Sequence, residues 1–343
     1  MKRILLIASA VAIVAGCAKV TTVDTAEPQE IAFKAYNYAA TKAGFYGPID
    51  GSNYPEEESF GVFALYDSQT AAGTPWTDMD DVEMYIDDVE FIYDGTSTWK
   101  GNPTYFWPKQ GSLVFAAYSP YRYYDGTEIN ANFSTTSGIY ITSFNNPSYT
   151  YGQTQEQVDF MWFDVNLSQP VNSGTYTAQF KHALTNVVFS VIAKDDNSAK
   201  AIKLKKITMK NVNTIGDFTS GNSNPSWSNP STPKDNTAFS SDEGFPISTD
   251  ETFVPSEKKG ILVIPQNVVS FEIDYAIGYD YDNATGSYKK YLPQRYTYTP
   301  DASLTWAMGY RYTYNITLGV DEITITPSVQ DWIPEADVEV PVQ

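Results

Sequence analysis

The 343-residue chain has one cysteine and one histidine, and this scarcity excludes several kinds of chemistry. With Cys17 alone, the chain can form no internal disulfide and no site built from several thiolates. Catalysis by a nucleophile and a histidine would depend on His182, which stands beside the apolar Ala183 and Leu184. No nucleophile elbow, phosphate-binding loop or dinucleotide-binding glycine pattern occurs in the sequence. We therefore predict that the chain is not an enzyme and uses no cofactor.

Positive charge is also scarce. The chain has 22 lysines and arginines against 41 aspartates and glutamates, which gives a formal net charge of −19. A nucleic-acid-binding protein needs a basic surface, so nucleic acid is excluded as a partner. Aromatic residues make up 15% of the chain and include 26 tyrosines, a composition typical of a strand-rich folded protein and not of disorder.

The start of the chain lacks the ~20 consecutive apolar residues that a membrane-spanning helix needs. Lys2 and Arg3 precede a shorter apolar run over residues 4–14, and small residues then lead to Cys17. A charged start, an apolar middle and a small-residue end are the pattern of an export signal peptide. The sequence therefore predicts secretion.

Residues 14–17 read Val-Ala-Gly-Cys and resemble the bacterial lipobox. We predict a signal peptide over 1–16, lipidation of Cys17, and a lipidated tether over 17–28. Acyl chains contribute about 0.8 kcal/mol per buried methylene, so several chains make a durable anchor. The alternative is an ordinary signal peptide with a chance cysteine near its end.

Apolar and polar residues alternate through most of the chain after the tether, and helical spacing is nearly absent. Ile31, Phe33 and Ala35 share one face of the first predicted strand. The clearest half-buried strands are predicted over 271–279 and 310–318. Many short strands joined by polar turns favour an all-β fold of sandwich type.

In two predicted strands the apolar pattern also indicates how the strand is buried. Residues 60–66 are apolar on both faces, which predicts a strand covered on both sides. Ile202 and Leu204 have the opposite parity to Ile207 and Met209, and a β-bulge between the pairs would place all four on one core face. The alternative is a strand buried at one end and solvated at the other.

The longest loops are predicted over 127–157 and 213–258, and a single helical turn is predicted over 182–186.

Glycan binding by a surface lipoprotein of a carbohydrate-capture system is one candidate function of the chain. It would use tryptophans in or beside predicted loops as stacking surfaces, namely Trp76, Trp99, Trp162 and Trp227. The competing interpretation is that these rings fill the core. A glycoside hydrolase would need a carboxylate pair, and no spacing selects one.

Two acidic segments are candidates for metal sites. Residues 78–81 begin like a calcium loop but lack the glycine and the glutamate that complete it. Residues 280–286 lie between two alternating segments and suit a hairpin loop. Because carboxylates are common in turns, we interpret both as turns and predict no metal site.

Several segments, taken in chain order, resemble the fimbrillin family, the type V pilins of Bacteroides-type bacteria. These segments are residues 30–33, 41–43, 105–108, 113–120, 158–162, 180–184, 216–218, 306–310 and 331–332. The resemblance implies two tandem transthyretin-like β-sandwich domains, which we assign to 29–175 and 176–343. It also implies a fimbrial subunit or fimbria-associated lipoprotein at the cell outer membrane that mediates adhesion to a host or bacterial surface.

In this family a protease removes the lipid together with the first strand, and a strand from a neighbouring subunit fills the vacated groove by β-strand addition. The resemblance thus implies other fimbrial subunits as partners, with Ile31, Phe33 and Ala35 as the groove-filling residues. The chain departs from the usual arginine cut, because no arginine lies between Arg3 and Arg122.

Lys42 is the candidate processing site, since it follows the first strand in a region rich in glycine and proline. The alternative is that Lys42 is an ordinary loop lysine and that the chain keeps its lipid. At the other end, the alternating valines of residues 338–342 predict either a short edge strand or a tail that pairs with a partner.

Overall fold

The computed structural model describes residues 27–40, 51–124, 127–153, 157–221, 224–254 and 260–332. Strands account for most of these residues, and one short helix is present among them. The prediction of an all-β fold is confirmed.

The elements up to residue 182 are β1 (Ala32–Ala40), β2 (Gly51–Asn53), β3 (Phe60–Asp67), β4 (Glu83–Tyr93), β5 (Trp99–Asn102), β6 (Ser112–Ser119), β7 (Tyr123–Tyr124), β8 (Thr127–Glu128), β9 (Asn132–Ser134), β10 (Gly138–Asn145), β11 (Met161–Phe163) and β12 (Thr175–His182). The later elements are β13 (Thr185–Ala193), α1 (Asp196–Ala201), β14 (Ile202–Thr219), β15 (Ser226–Pro246), β16 (Thr252–Val254), β17 (Ile261–Val263), β18 (Gln266–Asn267), β19 (Phe271–Asp282), β20 (Ser287–Tyr298), β21 (Thr305–Trp306), β22 (Tyr310–Leu318) and β23 (Ile323–Asp331).

The first sheet runs in the order β12-β11-β6-β3-β4-β5-β1-β2, and β12 also pairs with β1. This extra pairing closes a ring of strands around an aromatic core that includes Phe60, Phe91 and Phe115. On β3, Phe60 belongs to this core, whereas Phe63 and Leu65 pack into a neighbouring cluster. The predicted covering of β3 on both faces is therefore confirmed.

Two further sheets enclose the core of the C-terminal part. One has the order β20-β19-β14-β10-β9 with β15 beside β14, and the other has the order β16-β13-β22-β23 with β17 beside β13. Phe189, Ile207, Phe271, Trp306 and Tyr314 are buried in the cluster that these strands share. The alternation predicted over 271–279 and 310–318 corresponds to β19 and β22.

The predicted bulge in β14 is present. The register with both neighbours, β15 and β19, shifts between Leu204 and Lys206. Ile202, Leu204, Ile207 and Met209 are consequently all buried in one cluster.

Three predictions of local structure were wrong. The loop predicted over 213–258 contains the end of β14, all of β15 and β16, and the stretch 127–157 contains β9 and β10. Among the described strands β15 pairs with β14, and its other edge makes a single bridge from Thr237 to Thr150. An edge strand tolerates prolines because fewer ladder donors are needed. Residues 182–186 form no helical turn, because His182 ends β12, Thr185 begins β13 and only two residues join the strands.

The division into domains at 175/176 stays a prediction, and strand pairings cross it. β12 begins at Thr175 and pairs with β1 and β11, whereas β10 pairs with β14. A shared cluster containing Phe144, Phe160 and Phe218 lies where the first sheet meets the later strands. The two parts are thus joined by pairing and by packing.

Candidate functional site

β1 lies between two strands that are distant from it in sequence. It runs antiparallel to β5, with Phe33 opposite Trp99, and parallel to β12, with Phe33 opposite Tyr176. Among the described strands, β5 and β12 do not pair with each other. β1 therefore fills a slot in the first sheet and supplies main-chain partners to both of its edges.

The alternation predicted for β1 matches its burial. Ile31, Phe33 and Ala35 have 1%, 0% and 5% of their surface exposed, whereas Lys34 is exposed. The Phe33 ring lies 4.9 Å from that of Phe91 in an edge-to-face arrangement that aromatic pairs favour.

We call the slot between β5 and β12 the β1 groove. The rings that contact Phe33 from inside it are those of Phe60, Phe91, Phe115 and Tyr176. Tyr176 is partly buried, and this burial raises the pKa of its phenol to about 12. Phe60, Phe91 and Phe115 are fully buried. The groove is thus deep, apolar and matched to one alternating strand.

A short segment clamps the N-terminal end of β1. The Ile31 N–H donates to the Tyr105 carbonyl at 2.8 Å, and the Trp107 N–H donates to the Gln29 carbonyl at 2.9 Å. Lys100 and Glu30 form an ion pair of 2.8 Å, but both side chains are largely exposed and contribute little. The sequence offered no signal for this clamp, because residues 29–31 and 105–107 are far apart in the chain.

The segment after β2 covers another part of the same core. The Tyr54 ring stacks on Phe180 with 5.1 Å between centroids, and its hydroxyl lies 2.7 Å from the Ser119 hydroxyl. The Trp99 indole N–H donates to the Glu58 carbonyl at 3.1 Å. Burial, together with the smaller effect of the nearby Glu57 charge, raises the pKa of Glu58 from 4.5 to about 7.

Glu58→Gln is expected to raise the free energy of unfolding by about 2 kcal/mol at pH 8 and to leave it unchanged at pH 4. The folded chain keeps the Glu58 proton up to about pH 7, whereas the unfolded chain loses it near pH 4.5. Stability therefore falls as the pH rises through that window, and the amide removes this loss. Urea unfolding of the unlipidated mature chain at both pH values measures the difference. Glu83→Gln, at an exposed position, is the control, and an equal response of the two variants would contradict the assignment.

His182 lies where the first sheet meets the later strands, and its environment is structural. Its Nδ1 is 3.0 Å from Oδ1 of Asp159, with both side chains buried. The imidazole stacks on Trp332 at 3.7 Å between centroids and 7° between planes. The Trp332 N–H donates to the Gly309 carbonyl at 2.8 Å, which fixes the end of the last described strand against the junction.

Two predicted sites lie outside the described residues, namely Cys17 and Lys42. The same is true of the alternating valines over 338–342. Lys42 follows directly on the last residues of β1 and precedes β2 in the chain. The role of each stays a prediction.

Three of the four tryptophans considered as sugar-stacking surfaces are in the core, and the fourth, Trp227, is partly buried. Trp76, Trp99 and Trp162 are buried, and Trp227 packs against Phe218 while its indole N–H donates to the Ala183 carbonyl at 2.6 Å. The burial of Trp76, Trp99 and Trp162 supports the competing interpretation that these rings fill the core, because large rings gain more from filling the space between sheets than from facing water.

The acidic segments form turns. Oδ1 of Asp78 accepts from the Asp80 N–H at 3.2 Å, and Oδ1 of Asp282 accepts from the Ala284 N–H at 2.9 Å. Within the described ranges, no group of three or more acidic, histidine or cysteine side chains is arranged to hold a metal ion. No helix in the same ranges is long and apolar enough to cross a membrane.

A family model described as fimbrillin-like matches residues 24–332. The chain belongs to the fimbrillin-like family. A second model, for the prokaryotic membrane lipoprotein lipid attachment site, matches residues 1–18, and the two together give a membrane-anchored surface protein. Because this family consists of structural surface proteins, the prediction that the chain is not an enzyme is confirmed.

Solved structures share the fold of this fimbrillin-like chain. A fimbrial protein from Bacteroides vulgatus ATCC 8482 aligns with a TM-score of 0.57 and 16% identity over 89% of this chain and 99% of that one. A protein from Bacteroides uniformis ATCC 8492, provisionally assigned to cell adhesion, aligns with a TM-score of 0.51 and 14% identity over 88% and 99%. At such identities the likeness concerns the fold alone. No curated protein sequence matches the chain significantly.

Proposed function

We propose that this chain is a fimbrial subunit or fimbria-associated lipoprotein of the outer membrane that assembles by β-strand addition and mediates cell adhesion. Family membership and the lipid attachment site support the class of protein and its location. The observation that carries the assembly mode is the position of β1, which separates β5 from β12 and buries Phe33 completely.

Loss of β1 would leave two kinds of unsatisfied surface. The facing edges of β5 and β12 would lose main-chain partners, and the rings around Phe33 would face water. A strand from a neighbouring subunit replaces both, since main-chain pairing provides affinity and alternate side chains fill the pocket. The neighbour must present an apolar residue at every second position, as Ile31, Phe33 and Ala35 do.

Limited trypsin digestion of the unlipidated mature chain tests this proposal, with Lys42→Gln as the matched variant. We expect cleavage at Lys42 followed by oligomers that grow with time, observed by mass spectrometry and size-exclusion chromatography. Lys42→Gln should remain uncut at that position and monomeric. A wild-type chain that is cut there and stays monomeric would argue against assembly by strand exchange.

A further inference from the structure

A polar hollow of about 320 Å³ lies on the first part of the molecule, away from the β1 groove. It is lined by Asp88 on β4, Arg122 just after β6, and residues 128–132, which lead from β8 to β9. Its volume is at the small end of the range of about 300–1,000 Å³ that ligand sites occupy.

Arg122 is held in place on one side of the hollow. Its Nε and one terminal nitrogen donate to Oδ2 of Asp88 at 2.9 and 2.7 Å, and its guanidinium lies 5.2 Å from the centre of the Tyr121 ring. The other oxygen of Asp88 accepts from the Tyr118 hydroxyl at 2.7 Å. The carboxylate is therefore occupied within the protein, whereas the Arg122 side chain stays 58% exposed and presents a fixed planar donor.

The opposite side is a short segment with alternating burial. Ile129 and Ala131 are buried and anchor it, and the Ile129 N–H donates to the Arg122 carbonyl. Glu128, Asn130 and Asn132 are exposed and line the hollow. The hollow thus gathers a carboxylate, two amides and a guanidinium on an anchored frame.

The charge of the lining selects the chemistry of the ligand. Asp88 neutralises Arg122, so Glu128 leaves the hollow with one net negative charge in a chain of net charge −19. An anion is disfavoured there, and a metal ion would meet the guanidinium and lacks a sufficient set of ligands within the described residues. Neighbouring hydroxyl groups of a sugar ring suit these side chains, because the amides of Asn130 and Asn132 both donate and accept, the Glu128 carboxylate accepts, and the Arg122 guanidinium donates.

We propose that this hollow binds one neutral sugar residue of a surface glycan. The site would give the adhesion role proposed above its ligand class, and it does not depend on strand addition. The site also differs from stacking on Trp76, Trp99 and Trp162, because those three rings are buried in the core.

Saturation-transfer NMR on the unlipidated, uncut mature chain tests the site with a panel of methyl glycosides of common hexoses and N-acetylhexosamines. We expect transfer to at least one glycoside and a loss of affinity of about fivefold in Asn130→Ala, as removal of one hydrogen bond predicts. Arg122→Lys, which keeps the charge but loses the planar fork, should weaken binding further. Asn197→Ala, an exposed amide on α1, is the matched control and should bind like the wild type.

Three results would overturn the site. The first is that no glycoside shows transfer, and the second is that transfer is equal in Asn130→Ala and the wild type. The third is that transfer is lost in Tyr279→Ala. Tyr279 is 50% exposed and lies on the hairpin of β19 and β20, outside the hollow. Thermal unfolding of each variant shows that it is folded before binding is scored. Since the uncut monomer is used, failure here leaves the polymerisation test unaffected, and failure of polymerisation leaves this test unaffected.

Discussion

Phe33→Ala is expected to lower the free energy of unfolding by about 4 kcal/mol, in the range of 3–5 kcal/mol for phenylalanine truncated in a core. The Phe33 side chain is fully buried and touches rings on β3, β4, β6 and β12. Its removal leaves a cavity between strands that are fixed by their own pairing, so the site cannot collapse around it. Urea unfolding of the unlipidated mature chain, followed by circular dichroism, measures the loss.

Lys34→Ala is the matched control for this substitution. Lys34 neighbours Phe33 on β1 but is exposed, and we expect a change within about 0.5 kcal/mol. A loss below about 1 kcal/mol in Phe33→Ala would contradict the central place given to β1. Such a result would mean that the first sheet holds together without this strand.

Trp332→Ala is expected to lower the free energy of unfolding by about 3 kcal/mol. Trp332 is 3% exposed, stacks on His182 and belongs to the cluster shared by the first sheet and the later strands. The substitution removes this large ring and opens the buried pair of Asp159 and His182 to water. Urea unfolding also shows whether the two parts of the molecule still unfold in one transition.

Val329→Ala serves as the control for Trp332, because Val329 lies on β23 three residues before Trp332 and is 55% exposed. Its effect should stay within about 0.5 kcal/mol. Comparable effects of the two substitutions would refute the view that Trp332 fastens the end of β23 to the junction.

The features that sequence predicted well depend on local periodicity. The burial of Ile31, Phe33 and Ala35 follows from period-two alternation, and the bulge near Lys205 follows from a change of parity within one strand. Each of these signals is contained in fewer than about ten consecutive residues, as strands are. The all-β fold follows from many such signals taken together.

The features that sequence missed depend on contacts between distant segments. Nothing local indicates that β1 pairs with β5 and β12, or that residues 105–107 clamp its start. Prolines such as Pro230 and Pro233 led to the prediction of a loop, yet both residues lie in β15, a long edge strand beside β14. The short helix α1 was missed as well, since six residues are too few for a periodic signal, although Asp195 caps it by accepting from the Ser198 N–H at 2.7 Å.

The burial of β1 has a consequence for assembly. A strand that contributes this much apolar burial does not leave the groove spontaneously. The free energy lost with the strand would be a large part of the ~5–15 kcal/mol by which a typical protein is stable. Under the proposed function, strand exchange would therefore require a cut that releases β1 from the chain, and an incoming strand that restores equivalent contacts. Proteolysis near Lys42 would make this cut, and a neighbouring subunit would supply the incoming strand.

The most direct test of the account asks whether the opened groove accepts a free strand. A site-specific protease sequence is placed over residues 41–46, the mature chain is cut, and a fluorescent peptide of residues 29–40 is added in excess. We predict that this peptide elutes with the folded chain in size-exclusion chromatography, and that a peptide carrying Phe33→Asp does not. Equal incorporation of the two peptides, or of neither, would contradict the claim that the β1 groove is the site of strand addition.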